Sequence, residues 1–177
     1  MQLEPFRVYV QLAAAWMAWM GTTGAWLDDW AWGLVLVAVS LVIHAVGLAL
    51  IGALLVKWFG GGTAAKRTSS SLFRFASVIA MVSLTLAILH GVEAGVWMAA
   101  YLALGASDTV HDAILISLQM VTTLGPTDAH LHSGWRLMGP LEGIAGMLAF
   151  GLSTAFLIAV FQRVSPFASA GADRLPR

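Results

Sequence analysis

The chain has 177 residues, of which 59% are hydrophobic and only 10% are charged, and this composition excludes an ordinary soluble domain. Nine basic residues balance nine acidic ones, so no basic surface is available to bind nucleic acid. Because cysteine is absent, disulfides, thiolate catalysis and cysteine-ligated metals are also excluded. The composition therefore predicts an integral membrane protein in contact with a lipid bilayer.

The amino-terminal segment, residues 1–29, ends at the acidic pair Asp28 and Asp29, which predicts an aqueous boundary. Its apolar run from Val8 to Met20 is shorter than the roughly 20 residues that a transmembrane helix needs. The run contains tryptophans, which are enriched at membrane interfaces. We expect an interfacial or extracellular segment, and a full span or a cleaved signal peptide are the alternatives.

Residues 30–58 predict the first transmembrane helix, and the glycine- and serine-rich residues 59–71 predict a linker. His44 lies alone in this first helix, which favours a packed polar residue over a proton relay. Basic residues concentrate in and beside the linker and again in the tail, residues 163–177: Lys57, Lys66, Arg67, Arg74, Arg163, Arg174 and Arg177. Short loops rich in Lys and Arg are cytoplasmic, so we expect an outside amino terminus and a cytoplasmic carboxy terminus in the plasma (inner) membrane.

Two further apolar stretches, residues 72–104 and 137–162, predict the second and third transmembrane helices. His90 and Glu93 stand one helical turn apart in the outer part of the second, so the two side chains are expected to satisfy each other. Trp97 and Tyr101 follow in the same helix and predict an interfacial aromatic belt.

Residues 108–128 lie between these helices, and their half-polar run from Ser117 to Asp128 is far too short to span a bilayer. Ser107 or Asp108 is expected to cap a short helix with Asp112 in its first turn. The predicted apolar face of this helix consists of Ile114, Leu115, Leu118 and Val121. A half-polar segment at membrane depth is tolerated only where protein buries it or where it lines a water-filled cavity, so we expect a re-entrant helix and loop.

The segment that ends this stretch, Thr-Thr-Leu-Gly at 122–125 with Asp128 beyond it, resembles the Thr-Thr-Leu-Gly-Tyr-Gly-Asp filter of tetrameric potassium channels. The sequences at 135–143 and 150–156 are similar to the inner helix of small bacterial channels of the two-transmembrane-plus-pore class. The outer-helix residues His90, Glu93, Trp97 and Tyr101 resemble the same group. The resemblance covers roughly residues 30–162 and is most specific downstream of the filter.

The resemblance implies an all-α membrane protein with three transmembrane helices, a re-entrant pore helix and a filter loop, assembled as a homotetramer. The pore domain, residues 72–162, would comprise an outer helix (72–104), a pore helix with the filter (108–128) and an inner helix (137–162). The implied ion-filter residues are Thr122, Thr123, Leu124, Gly125, Pro126, Thr127 and Asp128. The permeant ion would be a monovalent cation, K⁺ or Na⁺.

Pro126 and Thr127 occupy the positions that the family gives to Tyr and Gly. A potassium filter is a column of backbone carbonyls, and glycine supplies the positive φ that aims them inward. Because Thr rarely adopts positive φ and Pro lacks an N–H, the outer half of the column is predicted to be lost or widened. We expect a weakly selective or non-selective cation channel with Asp128 at its outer mouth.

Two other functions stay open at this point. One is a regulatory or binding membrane protein that keeps the channel scaffold without conducting. The other is a small proton- or metal-coupled transporter that uses His90, Glu93 and Glu142, because ionisable groups within spans are functional candidates. An enzyme is not expected, since the sequence lacks catalytic triads, phosphate loops and zinc-binding His pairs.

The remaining polar and small residues give narrower predictions. Asp128, His130 and His132 alternate, so they predict either a divalent-metal site at the outer mouth or a plain solvated loop. Glu142 is expected to hydrogen-bond to the pore helix behind the filter, within one chain or between chains. Helix glycines favour close packing, with a gating hinge at Gly151 as the minority interpretation, and the packing candidates are Gly139, Gly143 and Gly146.

Overall fold

The computed structural model describes residues 4–59, 71–125 and 129–165, and all regular structure within these ranges is helical. The elements are α1 (Glu4–Phe59), α2 (Ser71–Ala103), α3 (Val110–Val121), one 3₁₀ turn (Ser133–Trp135) and α4 (Met138–Val164). Three stretches are long and apolar enough to cross a membrane: Trp26–Lys57, Leu72–Ala103 and Ser133–Val164. The predicted all-α fold with three possible crossings is therefore confirmed, and it is compatible with a multi-pass membrane protein.

The first helix differs from its predicted bounds, because α1 continues without a break from Glu4 through the expected boundary at residue 29. A helix of 56 residues is about 84 Å long, roughly twice the full thickness of a bilayer. A single crossing by Trp26–Lys57 therefore leaves the preceding turns outside the hydrocarbon core.

Asp29 explains why the acidic pair does not end α1. Its side chain is buried and its Oδ2 accepts a hydrogen bond from the backbone N–H of Leu137 at 3.1 Å. Leu137 is the N-cap residue of α4 and has no side-chain cap of its own. The first N–H groups of a helix lack intrahelical partners and carry partial positive charge, so a carboxylate from α1 supplies the missing cap.

The apolar core consists of two clusters at opposite ends of the bundle. One surrounds α3 and includes Trp97, Tyr101, Ile116, Met138 and Leu141. The other joins α1, α2 and α4 through buried aliphatic side chains: Ile51, Val78, Val82, Leu86 and Val160.

The predicted interfacial belt on α2 is wrong, because Trp97 and Tyr101 are both fully buried. Each ring carries one polar atom, and each atom has a protein partner inside the bundle. The indole Nε1 of Trp97 donates to Ser40 Oγ at 2.9 Å, and the Tyr101 hydroxyl donates to Glu142. Aromatic residues with satisfied polar atoms can be buried as well as interfacial, which spacing alone does not distinguish.

The cap of α3 is Thr109, not Ser107 or Asp108. Thr109 has extended backbone angles, and its Oγ1 accepts from the N–H of Asp112 at 3.0 Å. In return Thr109 Oγ1 donates to Asp112 Oδ2 at 2.8 Å, and this bond lowers the pKa of Asp112, with a smaller effect from His111. A carboxylate whose pKa is lower in the folded state stabilises the fold at pH values above its unfolded-state pKa. This contribution to stability is lost as the pH falls through the folded-state pKa.

α3 does not lie on the end of the bundle but descends between α2 and α4. Ser117 Oγ lies 2.8 Å from the carbonyl oxygen of Ala94, nine residues before the end of α2, or about 14 Å along its axis. The backbone of Val121 contacts Gly146, eight residues inside α4, or about 12 Å from its start. The carboxy-terminal end of α3 is therefore well inside the bundle.

The face by which α3 packs overlaps the predicted apolar face only at Val121. The buried residues of α3 are Ala113, Ile116, Ser117 and Val121. Leu115 and Leu118 of the predicted apolar face are exposed in the single chain. Ser117 faces inward because Glu142 and Ala94 provide hydrogen-bond partners there, so a polar residue replaces an apolar one at the centre of the packed face.

Gly146→Ala is expected to prevent the docking of α3, because a Cβ at this position would overlap the carbonyl oxygen of Val121 and lie 2.9 Å from its Cα. Backbone atoms cannot yield as a side-chain end does, so we expect a loss of at least about 2 kcal/mol of unfolding free energy. Denaturant titration in detergent followed by tryptophan fluorescence measures this. Gly151→Ala is the matched control, since a Cβ there meets no atom within 4 Å; equal stability of the two variants would contradict the close approach.

Asp29→Ala is expected to destabilise the folded chain by about 0.5–2 kcal/mol, the usual cost of removing a helix cap. Asp28→Ala removes an adjacent exposed carboxylate and should change stability by less than about 0.5 kcal/mol. The same titration compares the two variants. A larger effect at Asp28 than at Asp29 would show that local charge, and not the cap of α4, is what α1 contributes.

Candidate functional site

The turn that follows α3 contains the first residues of the predicted filter. The N–H of Thr123 donates to Met120 O at 2.9 Å, and the N–H of Leu124 donates to Gln119 O at 3.0 Å. This pair of bonds is the Schellman arrangement, which ends a helix with one residue in the left-handed conformation. The residue in that position is Thr123, with φ of 60°.

Positive φ alternates through this turn. Thr122 has φ of −88°, Thr123 has φ of 60°, and Gly125 has φ of 75°. A left-handed conformation costs a non-glycine residue about 1–2 kcal/mol, and a β-branched residue adopts it only where the surroundings impose it. Thr123 takes this conformation because two hydrogen bonds to the last turn of α3 fix it there. The expectation that a Thr avoids positive φ concerns Thr127, which lies outside the described residues.

The same turn is open on one side in the single chain. Thr122, Thr123 and Leu124 are exposed, Leu124 to 80%, although they lie at the depth of Gly146. Among the described residues, no backbone N–H donates to the carbonyls of residues 122–125. These carbonyls are thus available to a ligand or to water. Pro126, Thr127 and Asp128 lie outside the described residues, so their part of the predicted filter is not addressed.

A cavity of about 450 Å³ lies beneath the end of α3. Its walls come from α2, α3 and α4, and most of the lining is apolar. The polar or ring-nitrogen groups on it are Ser83, His90, Thr122, Ser153 and Thr154. The last carbonyls of a helix carry partial negative charge, so the end of α3 favours a cation at the upper wall of this cavity.

Glu142 connects three helices behind α3. It is fully buried; one carboxyl oxygen accepts from the hydroxyl of Tyr101 of α2, and the other is hydrogen-bonded to the hydroxyl of Ser117 of α3. The predicted contact between Glu142 and the short helix is confirmed, and it forms within one chain. Tyr101 is a partner that the sequence analysis missed, because it assigned this ring to the membrane interface.

The number of hydrogens available around Ser117 indicates which protonation state of Glu142 fits the site. Ser117 Oγ lies within hydrogen-bond distance of both Glu142 Oε1 and the carbonyl oxygen of Ala94, but a hydroxyl has one hydrogen. The Ala94 carbonyl can only accept. A neutral Glu142 would donate to Ser117, which would donate to Ala94, and every contact would then contain one hydrogen.

A second polar cluster links α1, α2 and α4 near the middle of the three long helices. Glu93 Oε1 lies 2.7 Å from His44 Nδ1, while His44 Nε2 lies 3.0 Å from Ser153 Oγ. Ser153 Oγ also lies 3.3 Å from His90 Nε2. His44 and Glu93 are almost completely buried, and His90 stacks on Phe150 with ring centroids 4.6 Å apart.

The expected pairing of His90 with Glu93 is therefore incomplete. Their closest atoms, Nδ1 and Oε2, are 3.4 Å apart, yet Nδ1 of His90 is buried and makes no hydrogen bond. The hydrogen-bonding partner of Glu93 is His44 from another helix. The available signal was that His44 is an ionisable group inside a span, and such groups usually pair with one another.

The predicted metal ligands His130 and His132 lie just before the 3₁₀ turn, in residues 129–132, which we call the outer segment. His130 is exposed. The ring of His132 already contacts protein acceptors on both sides: Nδ1 lies 3.0 Å from Gly105 O and Nε2 lies 3.1 Å from Asp108 Oδ2. Asp128 lies outside the described residues, so the predicted metal site with His130 and His132 is not addressed. His132 fastens this segment to the end of α2, as does its backbone N–H to Ala106 O at 3.0 Å.

The helix glycines separate into two groups. Gly139, Gly143 and Gly146 face the last residues of α3, which confirms the predicted close approach. Gly151 has no atom near its open side within the described residues, and a hinge there stays a prediction.

No protein-family model matches the chain, and no curated protein or solved structure is significantly similar to it. The potassium-channel resemblance thus stays a prediction based on the residues that carry it.

Glu142→Gln is expected to keep the stability of the wild type to within about 1 kcal/mol, because an amide can accept from Tyr101 and donate to Ser117. Glu142→Leu leaves the buried Tyr101 hydroxyl without a partner and should cost about 1–3 kcal/mol. Denaturant titration in detergent compares both variants with the wild type. If Gln were as damaging as Leu, the neutral form of Glu142 would be the wrong interpretation.

Proposed function

We propose that the chain is the pore-forming subunit of a homotetrameric, weakly selective cation channel in the plasma (inner) membrane. The observation that carries this proposal is the position of α3, which descends between α2 and α4, so that Thr122 lines the cavity between these helices and Thr123–Gly125 follow directly after it. A helix that ends inside a bundle and continues as a turn of exposed carbonyls is the arrangement that an ion filter requires.

The electrostatics of the turn favour cations. The carboxy-terminal end of α3 carries partial negative charge, and the carbonyls of residues 122–125 receive no backbone N–H from the described residues. Hydroxyl oxygens of Thr122 and Thr123 add further oxygen atoms in the same place. Carbonyl and hydroxyl oxygens are ligands that suit K⁺ or Na⁺.

The exposed side of the turn supports the association of several copies of the chain. Irregular backbone at membrane depth is stable only when protein or a water-filled cavity covers it. In one chain Thr123 and Leu124 are uncovered, and so are the neighbouring apolar residues Leu115 and Leu118 of α3. Further copies placed around this face would cover the apolar residues and enclose water against the carbonyls, and fourfold symmetry is what the resemblance to potassium channels implies.

Weak selectivity follows from the filter sequence. The inner part, Thr123, Leu124 and Gly125, resembles that of the family and contains two residues with positive φ. The outer part has Pro126 and Thr127 in place of Tyr and Gly. Fewer aligned carbonyls leave an ion partly hydrated, and partial hydration reduces discrimination between K⁺ and Na⁺.

The first test is recording from the purified protein in planar bilayers under opposed K⁺ and Na⁺ gradients. We expect cation currents with a reversal potential close to zero. A reversal potential at the K⁺ equilibrium value would refute weak selectivity. Absence of any monovalent cation flux, in bilayers and in proteoliposomes, would favour the non-conducting regulatory or binding protein.

A matched variant tests the role of the filter directly. The double substitution Pro126→Tyr and Thr127→Gly restores the family pattern and is expected to move the reversal potential towards the K⁺ value. The control Thr127→Ser keeps a hydroxyl side chain without restoring glycine and should leave the reversal potential near zero. Uptake that requires a proton gradient and that Glu142→Gln abolishes would instead favour the transporter.

A further inference from the structure

The side chains of His44, Glu93, Ser153 and His90 form a ring with four contacts between neighbours. Three of these contacts are hydrogen bonds, which we call closed, and the fourth is not a hydrogen bond, which we call open. The closed contacts join Glu93 to His44, His44 to Ser153, and Ser153 to His90 at 2.7, 3.0 and 3.3 Å. The open one lies between His90 Nδ1 and Glu93 Oε2, which are 3.4 Å apart without a hydrogen bond.

Counting hydrogens shows what the open contact lacks. The Glu93 carboxylate can only accept, so Nδ1 of His44 carries a hydrogen and its Nε2 accepts from the Ser153 hydroxyl. The oxygen of Ser153 then accepts from Nε2–H of His90. A neutral imidazole has one N–H, so Nδ1 of His90 presents a lone pair to a carboxylate oxygen. Two buried acceptors thus face each other with nothing positive between them.

We propose that this place is a binding site for a divalent transition-metal ion of the Zn²⁺ class, with His44, His90 and Glu93 as ligands. The ligand atoms of the three residues all lie within 4.8 Å of one another. Zinc bonds of about 2.0–2.1 Å in tetrahedral geometry separate two ligand atoms by about 3.3–3.5 Å. The separation of His90 Nδ1 from Glu93 Oε2, 3.4 Å, already has this value.

Binding requires a change of tautomer at His44 and a small movement of the three side chains, because their ligand atoms are spread over up to 4.8 Å. The His44 hydrogen moves from Nδ1 to Nε2, which frees the Nδ1 lone pair for the metal and releases no proton to solvent. Ser153 Oγ then accepts from the Nε2–H groups of both His44 and His90, and its own hydrogen turns away from His44 Nε2. Outer partners of this kind fix the tautomer and orientation of metal-binding imidazoles.

The surroundings provide both access and a reason for affinity. His90 and Ser153 line the cavity beneath α3, so an ion in the cavity can reach the site, while Phe150 covers one face of the His90 ring. A carboxylate buried among apolar helices is costly, and a divalent cation offsets that cost directly. Imidazole nitrogens select Zn²⁺ and its neighbours over K⁺, Na⁺ or Ca²⁺, so this site differs in chemistry from the proposed filter and does not depend on conduction.

The experiment is metal titration of the full chain, purified in detergent and stripped with a chelator. Calorimetry with Zn²⁺ and visible absorption with Co²⁺ should both give one ion per chain. His90→Gln and Glu93→Gln should each weaken binding more than about 100-fold, whereas Ser153→Ala, which removes an outer partner, should weaken it about 10- to 100-fold. His111→Ala is the control, since this exposed imidazole lies outside the cluster, and it should bind as the wild type does.

Two outcomes would overturn the proposal. One is the absence of stoichiometric binding in the wild type, which would leave the ring as a packing contact or as a proton site. The other is binding that survives His90→Gln but disappears in the double variant His130→Ala and His132→Ala, which would assign the ion to the outer segment. If the cluster variants do not fold, X-ray absorption of the Zn²⁺-loaded double variant His130→Ala and His132→Ala decides: two imidazoles and a carboxylate support the site, and any other ligand set refutes it.

Discussion

The buried carboxyl group of Glu142 is the point on which the arrangement of this chain depends. It is hydrogen-bonded to Tyr101 of α2 and to Ser117 of α3, and the second bond fixes how deep α3 lies in the bundle. Within a bilayer, apolar side chains gain little by leaving lipid for protein, so helix association relies on close packing and on polar contacts. The glycines of α4 supply the first and Glu142 supplies the second, at neighbouring positions of one helix.

The same principle accounts for α1, which a two-helix pore unit would not require. It is joined to the other helices at three levels, by Asp29 at the start of α4, by Ser40 at Trp97, and by His44 at Glu93 and Ser153. The side chains that α1 contributes to these contacts are all buried, so detaching α1 would expose several polar groups at once. This makes α1 an integral part of the bundle and not an accessory helix.

These constraints leave one side of α3 unpacked, and the proposed channel function depends on that asymmetry. The inner side of α3 is held by Ser117 and Gly146, while the outer side presents Leu115, Leu118 and the turn at Thr123. A single chain in lipid would have uncovered carbonyl groups at this turn. The proposed channel resolves the problem by symmetry, because copies of the chain enclose the turns around water.

The sequence by itself determined the all-helical fold, the three apolar crossings, the short helix between the last two, the close approach of the α4 glycines and the contact of Glu142 with that helix. These follow from local hydrophobicity, from helix-ending signals and from the cost of charge in lipid, all of which can be read within one segment. Tertiary structure alone decided that α1 continues through Asp29, that Trp97 and Tyr101 are buried, that Thr123 takes positive φ, and that Glu93 bonds to His44 with an open contact to His90. Each of these depends on a partner far along the chain or on bonds that fix the turn after α3. The periodicity of a helix identifies its faces, but which face meets which neighbour is set by packing between helices.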